Sequence, residues 1–226
     1  MVLNVGVIRD ETPSKGDDMA KGSPWPTIHA ERQALADDLA PIGDAQWATP
    51  SLSAPWSVHD VLGHMTATAR MTPPKFFASM IGSGFRFNAM AAKGIAQETN
   101  GAPGDTLARF REQVSATTHP PGPVDSWLGE TIVHAEDIRR PLGITHTYPT
   151  EALTRLADFY RGSNVLIGGK KRVAGLTLRA TDTGWSAGEG PEVSGPMLAI
   201  LLVITGRRVG LDELSGDGVA VLRERM

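Results

Sequence analysis

The segment GETIVHAEDIRRPLG, residues 129–143, holds three acidic residues and a histidine beside its own apolar residues. Successive residues of an α-helix rotate by about 100°. Glu130 and His134 are four apart, and His134 and Asp137 are three apart, so all three would share one edge of a helix. Glu136 would lie about 200° from His134 and is expected to point into solvent. The spacing therefore predicts a helix that carries three polar side chains next to its apolar face.

We predict that this helix covers residues 124–143, because Pro141 and Gly143 end it and a basic pair suits its last turn. Apolar spacing predicts five more helical pieces in the preceding chain, which is interrupted by Pro- and Gly-rich loops. The first starts at residue 27, and the others lie within 53–71, 75–84, 87–99 and 104–118. Long helices joined by short loops indicate an antiparallel four-helix bundle.

The pattern changes after residue 145. We predict a helix over 150–167, a strand within 173–182 that continues into a glycine-rich hairpin, and an apolar helix over 194–207. The predicted fold class is mainly α, with a four-helix bundle followed by a small α+β domain. We divide the chain into a flexible tail (1–24), the bundle (25–145) and the small domain (146–226).

Composition excludes several classes of function. The formal net charge of −3 and the isoelectric point near 6.1 disfavour nucleic-acid binding, which normally needs a basic face. The longest apolar run, 197–204, is too short to cross a bilayer, and no signal pattern opens the chain. We therefore expect a cytoplasmic protein without a membrane partner; the oligomeric state is left open. The absence of cysteine removes disulfides, thiolate ligands and a cysteine nucleophile.

A second polar edge is predicted on the helix that follows Ser57. His64 borders its apolar stripe, Asp60 lies one turn earlier on the same edge, and His59 faces the opposite way, where we expect solvent. If the two helices are neighbours, His64, Glu130 and His134 can converge. Two imidazoles and one carboxylate suit Zn²⁺ or another divalent first-row metal and leave positions open for water or substrate.

Each of these residues also has a purely structural interpretation. Glu130 could be a solvated residue near the start of its helix, and His64 could be a hydrogen-bonded histidine at the border of the core. Asp60 could cap its helix through Ser57, or it could orient a ligand histidine, as Asp137 could. Spacing alone leaves these alternatives open.

Two motifs together resemble the mycothiol-dependent maleylpyruvate isomerase-like proteins, which are DinB-like metal-binding four-helix bundles. The motifs are WSVHDVLGHM (56–65) and GETIVHAEDIRRPLG (129–143). The resemblance covers residues 27–143 and implies that His64, Glu130 and His134 are the metal ligands. The C-terminal half is similar, more loosely, to the sterol-carrier-like domain that often follows such bundles.

The resemblance implies a metalloenzyme that uses zinc, as the first expectation, and the thiol mycothiol. A bound thiol would become a thiolate at neutral pH and attack a small electrophile such as a maleylpyruvate-like acid. Isomerisation and S-transfer remain equally open, and Arg207 is a candidate for binding a substrate carboxylate. The alternative is a non-catalytic protein that binds a metal, a small ligand or a lipid.

Overall fold

The computed structural model describes residues 22–165 and 167–226, so most of the predicted tail (1–24) lies outside the described residues. Six α-helices form the first part of the described chain, with a short 3-10 helix (Asp44–Ala48) after the first. They are α1 (Trp25–Asp38), α2 (Val58–Ala69), α3 (Pro73–Gly82), α4 (Phe87–Glu98), α5 (Pro103–Arg111) and α6 (Val124–Arg139).

Helices α1, α2, α5 and α6 pack against one another, which confirms the predicted helical bundle. Their apolar stripes share one buried cluster, because each helix places residues three and four apart on a common face. The cluster includes Leu35, Val61, Leu62, Phe110 and Ile138. Burial of this apolar surface is the main favourable contribution to the free energy of folding here.

Helix α5 ends earlier than the sequence predicts. The apolar spacing predicts a helix over 104–118, whereas the helix ends at Arg111 and the chain continues in tight turns. The guanidinium of Arg32 on α1 donates hydrogen bonds to the carbonyls of Gln113 and Ala116, at 3.1 and 2.9 Å. These carbonyls thus accept hydrogen bonds from another helix rather than from a continued α5. The apolar spacing within one helix cannot predict such a contact.

The C-terminal part combines helices with one small sheet. Its elements are α7 (Thr150–Arg161), α8 (Gly169–Val173), β1 (Thr177–Ala180), β2 (Ser186–Ala187), β3 (Glu192–Gly195), α9 (Met197–Ile204), a 3-10 helix (Arg208–Glu213) and α10 (Gly218–Glu224). The strand order is β2-β1-β3, with β1 antiparallel to β2 and parallel to β3. The mainly α class with a small sheet is therefore confirmed. None of the described helices combines the length and apolarity that a bilayer span requires.

A second apolar cluster joins the two parts of the chain. It is centred on α7 and α9, yet it includes Ile28 of α1 and Leu128 and Ile132 of α6. Helix α6 therefore contributes to both clusters and is buried on more than one side. The division of the chain at residue 145 remains a prediction, and this shared cluster crosses it.

Gly129 allows α6 and α7 to approach closely. A Cβ at this position would lie 2.0 Å from the hydroxyl oxygen of Tyr160, which is far inside van der Waals contact. For Gly82, at the end of α3, no atom of the described residues lies within 4 Å of the same hypothetical Cβ. The two helical glycines therefore form a matched pair of test positions.

We predict that Gly129→Ala lowers the free energy of unfolding by about 1–3 kcal/mol, because the added methyl group overpacks the contact with Tyr160. The better helix propensity of alanine, worth up to about 1 kcal/mol, offsets only part of that cost. Urea unfolding measures the difference. Gly82→Ala should leave stability unchanged or raise it, and equal behaviour of the two variants would contradict the close packing at Gly129.

Candidate metal centre

Three side chains from α2 and α6 meet at one point. His64 comes from α2, Glu130 and His134 come from α6, and one ligand atom of each lies within 4.8 Å of the others. The Nε2 atom of His64 is 3.1 Å from Oε1 of Glu130, and the Nε2 atom of His134 is 3.4 Å from Oε2. The two imidazole rings have centroids 5.0 Å apart. The structure therefore brings together the residues that the spacing predicted could converge.

The start of α2 fixes the position of His64. The Ser57 hydroxyl accepts a hydrogen bond from the Asp60 amide, and the Asp60 carboxylate accepts bonds from the Ser57 amide and hydroxyl at 2.9 and 2.7 Å. This is a capping box, which satisfies free amides at the first turn of a helix. Asp60 thus acts as a cap. It makes no hydrogen bond to His64 within the described chain, so we correct the interpretation that it orients this histidine.

A buried carboxylate holds the other histidine. Oδ2 of Asp137 lies 2.8 Å from Nδ1 of His134, and the Asp137 side chain is fully buried. Because Nδ1 is engaged in this contact, Nε2 is the ring nitrogen that faces Glu130 and the pocket. In most metal-binding histidines, the ring nitrogen that does not bind the metal is held by a hydrogen bond of this kind.

Arg207 binds the same carboxylate from the C-terminal part of the chain. Its Nε and Nη2 atoms donate to the two Asp137 oxygens at 3.0 and 2.7 Å, and Nη1 donates to the Thr205 carbonyl at 2.9 Å. The sequence interpretation gave Arg207 a substrate carboxylate as its partner. The structure shows a partner that this interpretation did not include, since a bidentate pair with Asp137 compensates the guanidinium. Arg207 also lines the pocket described below, so a role toward a substrate stays a prediction.

The electrostatics of the cluster follow from burial and charge. Burial alone would raise the pKa of the Glu130 carboxyl, but the charges of His64 and His134 lower this pKa well below its usual range. Burial would lower the pKa of His134, whereas the Glu130 charge and the Asp137 hydrogen bond raise it to about 9. Hydrogen bonds from His134 and Arg207 similarly lower the pKa of Asp137 against the effect of its burial. Glu130 and Asp137 are therefore carboxylates at neutral pH.

The donor set fits a divalent cation. Oε1 of Glu130 is buried and has no hydrogen-bond partner among the described residues, although an imidazole nitrogen lies 3.1 Å away. Ligand atoms bound at about 2.1 Å to a tetrahedral cation are separated by roughly 3.4 Å. Here each imidazole lies at 3.1 or 3.4 Å from a different oxygen of Glu130, and one ligand atom from each residue lies within 4.8 Å of the others. Two nitrogens and one carboxylate oxygen are ligands that Zn²⁺ and related metals accept. A cation would supply the partner that the carboxylate oxygen lacks.

Trp56 covers the histidine rings. Its ring centroid is 4.9 Å from that of His64 and 6.4 Å from that of His134. The sequence analysis did not identify this residue as part of the site. One sequence feature could have indicated its place: Trp56 directly precedes the Ser57 cap and so lies beside the first turns of α2.

A pocket of about 430 Å³ opens beside the three ligands. Its walls come from the end of α2, from α3 and α4, from the loop 120–123, and from α6 and α7. Many of the other side chains that line the pocket are apolar. They include Met71, Phe76, Phe87, Met90 and Trp127. The segment 72–103, which includes α3 and α4, thus contributes to the pocket wall.

Two polar residues that the sequence predicted to face solvent are covered by other parts of the protein. Glu136 is buried and accepts hydrogen bonds from the Tyr148 hydroxyl and from Nε of Arg140, both at 2.8 Å. His59 is partly buried, and its Nε2 lies 2.9 Å from the Thr106 hydroxyl. Both predictions were wrong, because other elements cover the sides of α6 and α2 that periodicity had assigned to water.

The fold and the site define a class: helical-bundle proteins with a two-histidine, one-carboxylate centre at the edge of a pocket. Residues 28–121 match the family profile described as the mycothiol maleylpyruvate isomerase N-terminal domain. The matched segment covers less than half of the chain, and it confirms the resemblance to this family that was stated from the sequence. His64 lies inside the matched segment, whereas Glu130 and His134 follow it.

Solved structures show the same fold over most of the chain. The crystal structure of a mycothiol-dependent maleylpyruvate isomerase superposes with a TM-score of 0.61 and 16% sequence identity, covering 85% of this chain and 91% of that one. A histidine-to-alanine mutant of such an isomerase gives a TM-score of 0.60 and 15% identity with the same coverage. At this identity the likeness establishes the fold. No curated protein sequence matches the chain significantly.

We predict that Asp137 and Arg207 are strongly coupled. Arg207→Gln leaves a buried carboxylate with one partner fewer and should lower the free energy of unfolding by about 3–5 kcal/mol. The double variant Asp137→Asn/Arg207→Gln should be less destabilised than the sum of the two single variants, with a coupling of roughly 1–3 kcal/mol. Urea unfolding of chelator-treated protein measures all four species.

Glu213 provides the control for this cycle, since it pairs with Arg140 at a site where it is 39% exposed. Glu213→Gln should cost less than about 1 kcal/mol. A similar cost for Arg207→Gln and Glu213→Gln would contradict the structural importance of the buried pair.

Proposed function

We propose that the protein is a mycothiol-dependent enzyme that binds one divalent cation through His64, Glu130 and His134 and transfers the thiol to a small electrophile. The observation that carries the proposal is the placement of the three ligands, with few hydrogen bonds of their own, at the wall of a pocket large enough for a small molecule. The match of residues 28–121 to the mycothiol maleylpyruvate isomerase N-terminal domain supports mycothiol as the thiol. The lack of cysteine agrees with a thiol supplied by a cosubstrate.

A bound divalent cation lowers the pKa of a coordinated thiol and offsets negative charge on a reacting group. The residues of the chain hold and shield this position. Glu130 and the two histidines form one face of the site, and Asp137 keeps Nε2 of His134 directed toward it. The Trp56 ring covers the imidazoles, and the apolar wall keeps bulk water from the reacting atoms.

The proposed reaction balances as an addition. The thiolate sulfur forms a C–S bond to one carbon of an activated double bond, and the π electron pair moves to the activating carbonyl group. Uptake of a proton from water at the neighbouring carbon completes an S-conjugate. In the enolate, before this proton is taken up, the former double bond is a carbon–carbon single bond and can rotate. Return of the electron pair from the carbonyl oxygen then expels the thiolate and restores the double bond in the other geometry. S-transfer and cis–trans isomerisation therefore share their first step, and the assay distinguishes them by product.

We predict that the purified protein carries close to one equivalent of a divalent metal and that His134→Ala reduces this to roughly a tenth or less. His64→Ala and Glu130→Gln should behave in the same way, because each removes one of three ligands. Elemental analysis after dialysis measures the content. His59→Gln, on the same helix as His64 but bonded to Thr106, should retain the metal. A wild-type protein without stoichiometric metal would contradict the site.

The catalytic part of the proposal is tested by mixing the zinc-loaded protein with mycothiol and a panel of activated alkenes and alkyl halides. We expect conjugation or isomerisation faster than the uncatalysed thiol reaction, and a loss of this acceleration in His134→Ala. Mass spectrometry identifies the product. If the metal is bound but no electrophile reacts faster than in the absence of protein, the protein is a metal-binding protein and not this enzyme.

A further inference from the structure

We infer that the pocket selects an uncharged, apolar electrophile, in contrast to the acid named in the family description. This inference deepens the proposed function and rests on it for the identity of the site. It concerns the pocket walls that the three ligands do not form. The charges that line the pocket, and the partners that already compensate them, decide which class of molecule it accepts.

Arg207 is the one arginine or lysine among the described residues that line the pocket. Its guanidinium makes a bidentate pair with Asp137 and a third bond to the Thr205 carbonyl, so its charge is compensated inside the protein. Recruiting it for a substrate carboxylate would weaken its pair with Asp137, which is fully buried and would keep only His134 as a partner. Removing one member of a buried ion pair is strongly unfavourable.

The metal position offers no surplus charge once a thiol is bound. A divalent cation carries a charge of two, and the Glu130 carboxylate and one thiolate together cancel it. A dicarboxylate in the same pocket would therefore bring uncompensated negative charge into a partly dehydrated site, which costs free energy. An uncharged electrophile avoids that cost.

The remaining walls favour an apolar molecule. Phe76 of α3, Phe87 and Met90 of α4, Met71 between α2 and α3, and Trp127 of α6 all line the pocket. Aromatic and thioether side chains provide large, adaptable contact surfaces for rings and alkyl groups. The hydroxyl of Tyr160 is a neutral donor, since burial and the Glu130 charge raise the pKa of this phenol. A carbonyl, nitro or ester group would suit it better than a second charge.

Two similarly exposed phenylalanines on the α3–α4 hairpin allow a matched test. Phe87 is 56% exposed and lines the pocket, whereas Phe77 is 58% exposed and does not. Replacing either one with lysine adds a positive charge at a partly exposed position, which the fold should tolerate. Only Phe87→Lys adds that charge to the pocket wall.

The binding arm uses two aromatic probes that differ in a negative charge: N-phenyl-1-naphthylamine, which is uncharged, and 8-anilino-1-naphthalenesulfonate. Fluorescence titration of the zinc-loaded protein with saturating mycothiol should show the uncharged probe binding roughly tenfold more tightly or better. Phe87→Lys should reduce the ratio of the two probes' dissociation constants by about threefold or more, and Phe77→Lys should leave this ratio unchanged. Equal or tighter binding of the sulfonate to the wild type would overturn the inference, as would a ratio that responds only to Phe77→Lys.

The reaction arm compares dimethyl maleate with maleate, each as acceleration over its uncatalysed addition of mycothiol. The wild type should accelerate the uncharged ester at least about tenfold more than the dianion, and Phe87→Lys should reduce this preference. A preference for the dianion overturns the inference while the proposed thiol transfer stands. If neither compound is accelerated and no other electrophile reacts, the proposed function fails, and the ratio of the two probes still decides which ligand class the pocket takes.

Discussion

The buried carboxylate of Asp137 is the constraint on which the site depends. It contacts Nδ1 of His134 on one side and the guanidinium of Arg207 on the other, with its own side chain fully withdrawn from solvent. A buried carboxylate without partners would be strongly unfavourable, so this geometry must be satisfied whenever the chain is folded. The orientation of a candidate metal ligand is thereby tied to the packing of the C-terminal part on the bundle.

The same arrangement explains why α6 is the central element of the molecule. It supplies two of the three candidate ligands, it contributes to both apolar clusters, and Gly129 allows α7 to approach it closely. Glu136, on another side of α6, is covered by Tyr148 and Arg140. Little of this helix is therefore free to move, and rigid support of this kind holds metal ligands in position.

The pocket beside the ligands has two chemically distinct regions. Near α2 and α6 lie a carboxylate and two imidazoles, which suit a cation and a thiol. Toward α3 and α4 lie aromatic and thioether side chains. Under the proposed function, the first region would activate a nucleophile and the second would select an electrophile. Residues of α3 have little burial of their own, so this wall can change in sequence with little cost to the core.

The sequence was sufficient to predict those features that depend on local spacing. Glu130, His134 and Asp137 share a helix edge because they are separated by four and three residues. The capping residues at Ser57 predict the start of α2. The convergence of His64 with this edge required a further assumption about neighbouring helices, which the structure supports. The family resemblance supplied the same ligands independently.

The features that the sequence could not supply all involve contacts between distant segments. Arg207 and Asp137 are separated by 70 residues, and nothing in either local pattern links them. The burial of Glu136 depends on Tyr148, which follows the helix, and the early end of α5 depends on Arg32 of α1. In each case a partner from another element decides whether a polar group faces water.

X-ray absorption at the zinc edge tests the central claim most directly, because it reports the ligands of a bound metal. The zinc-loaded protein should show two imidazoles and light oxygen or nitrogen ligands at about 2.0–2.2 Å, and mycothiol should add one sulfur at about 2.3 Å. His59→Gln should give the same spectra, and Glu130→Gln should not. A spectrum without imidazole scattering, or one that mycothiol leaves unchanged, would contradict a thiol-binding metal centre formed by His64, Glu130 and His134.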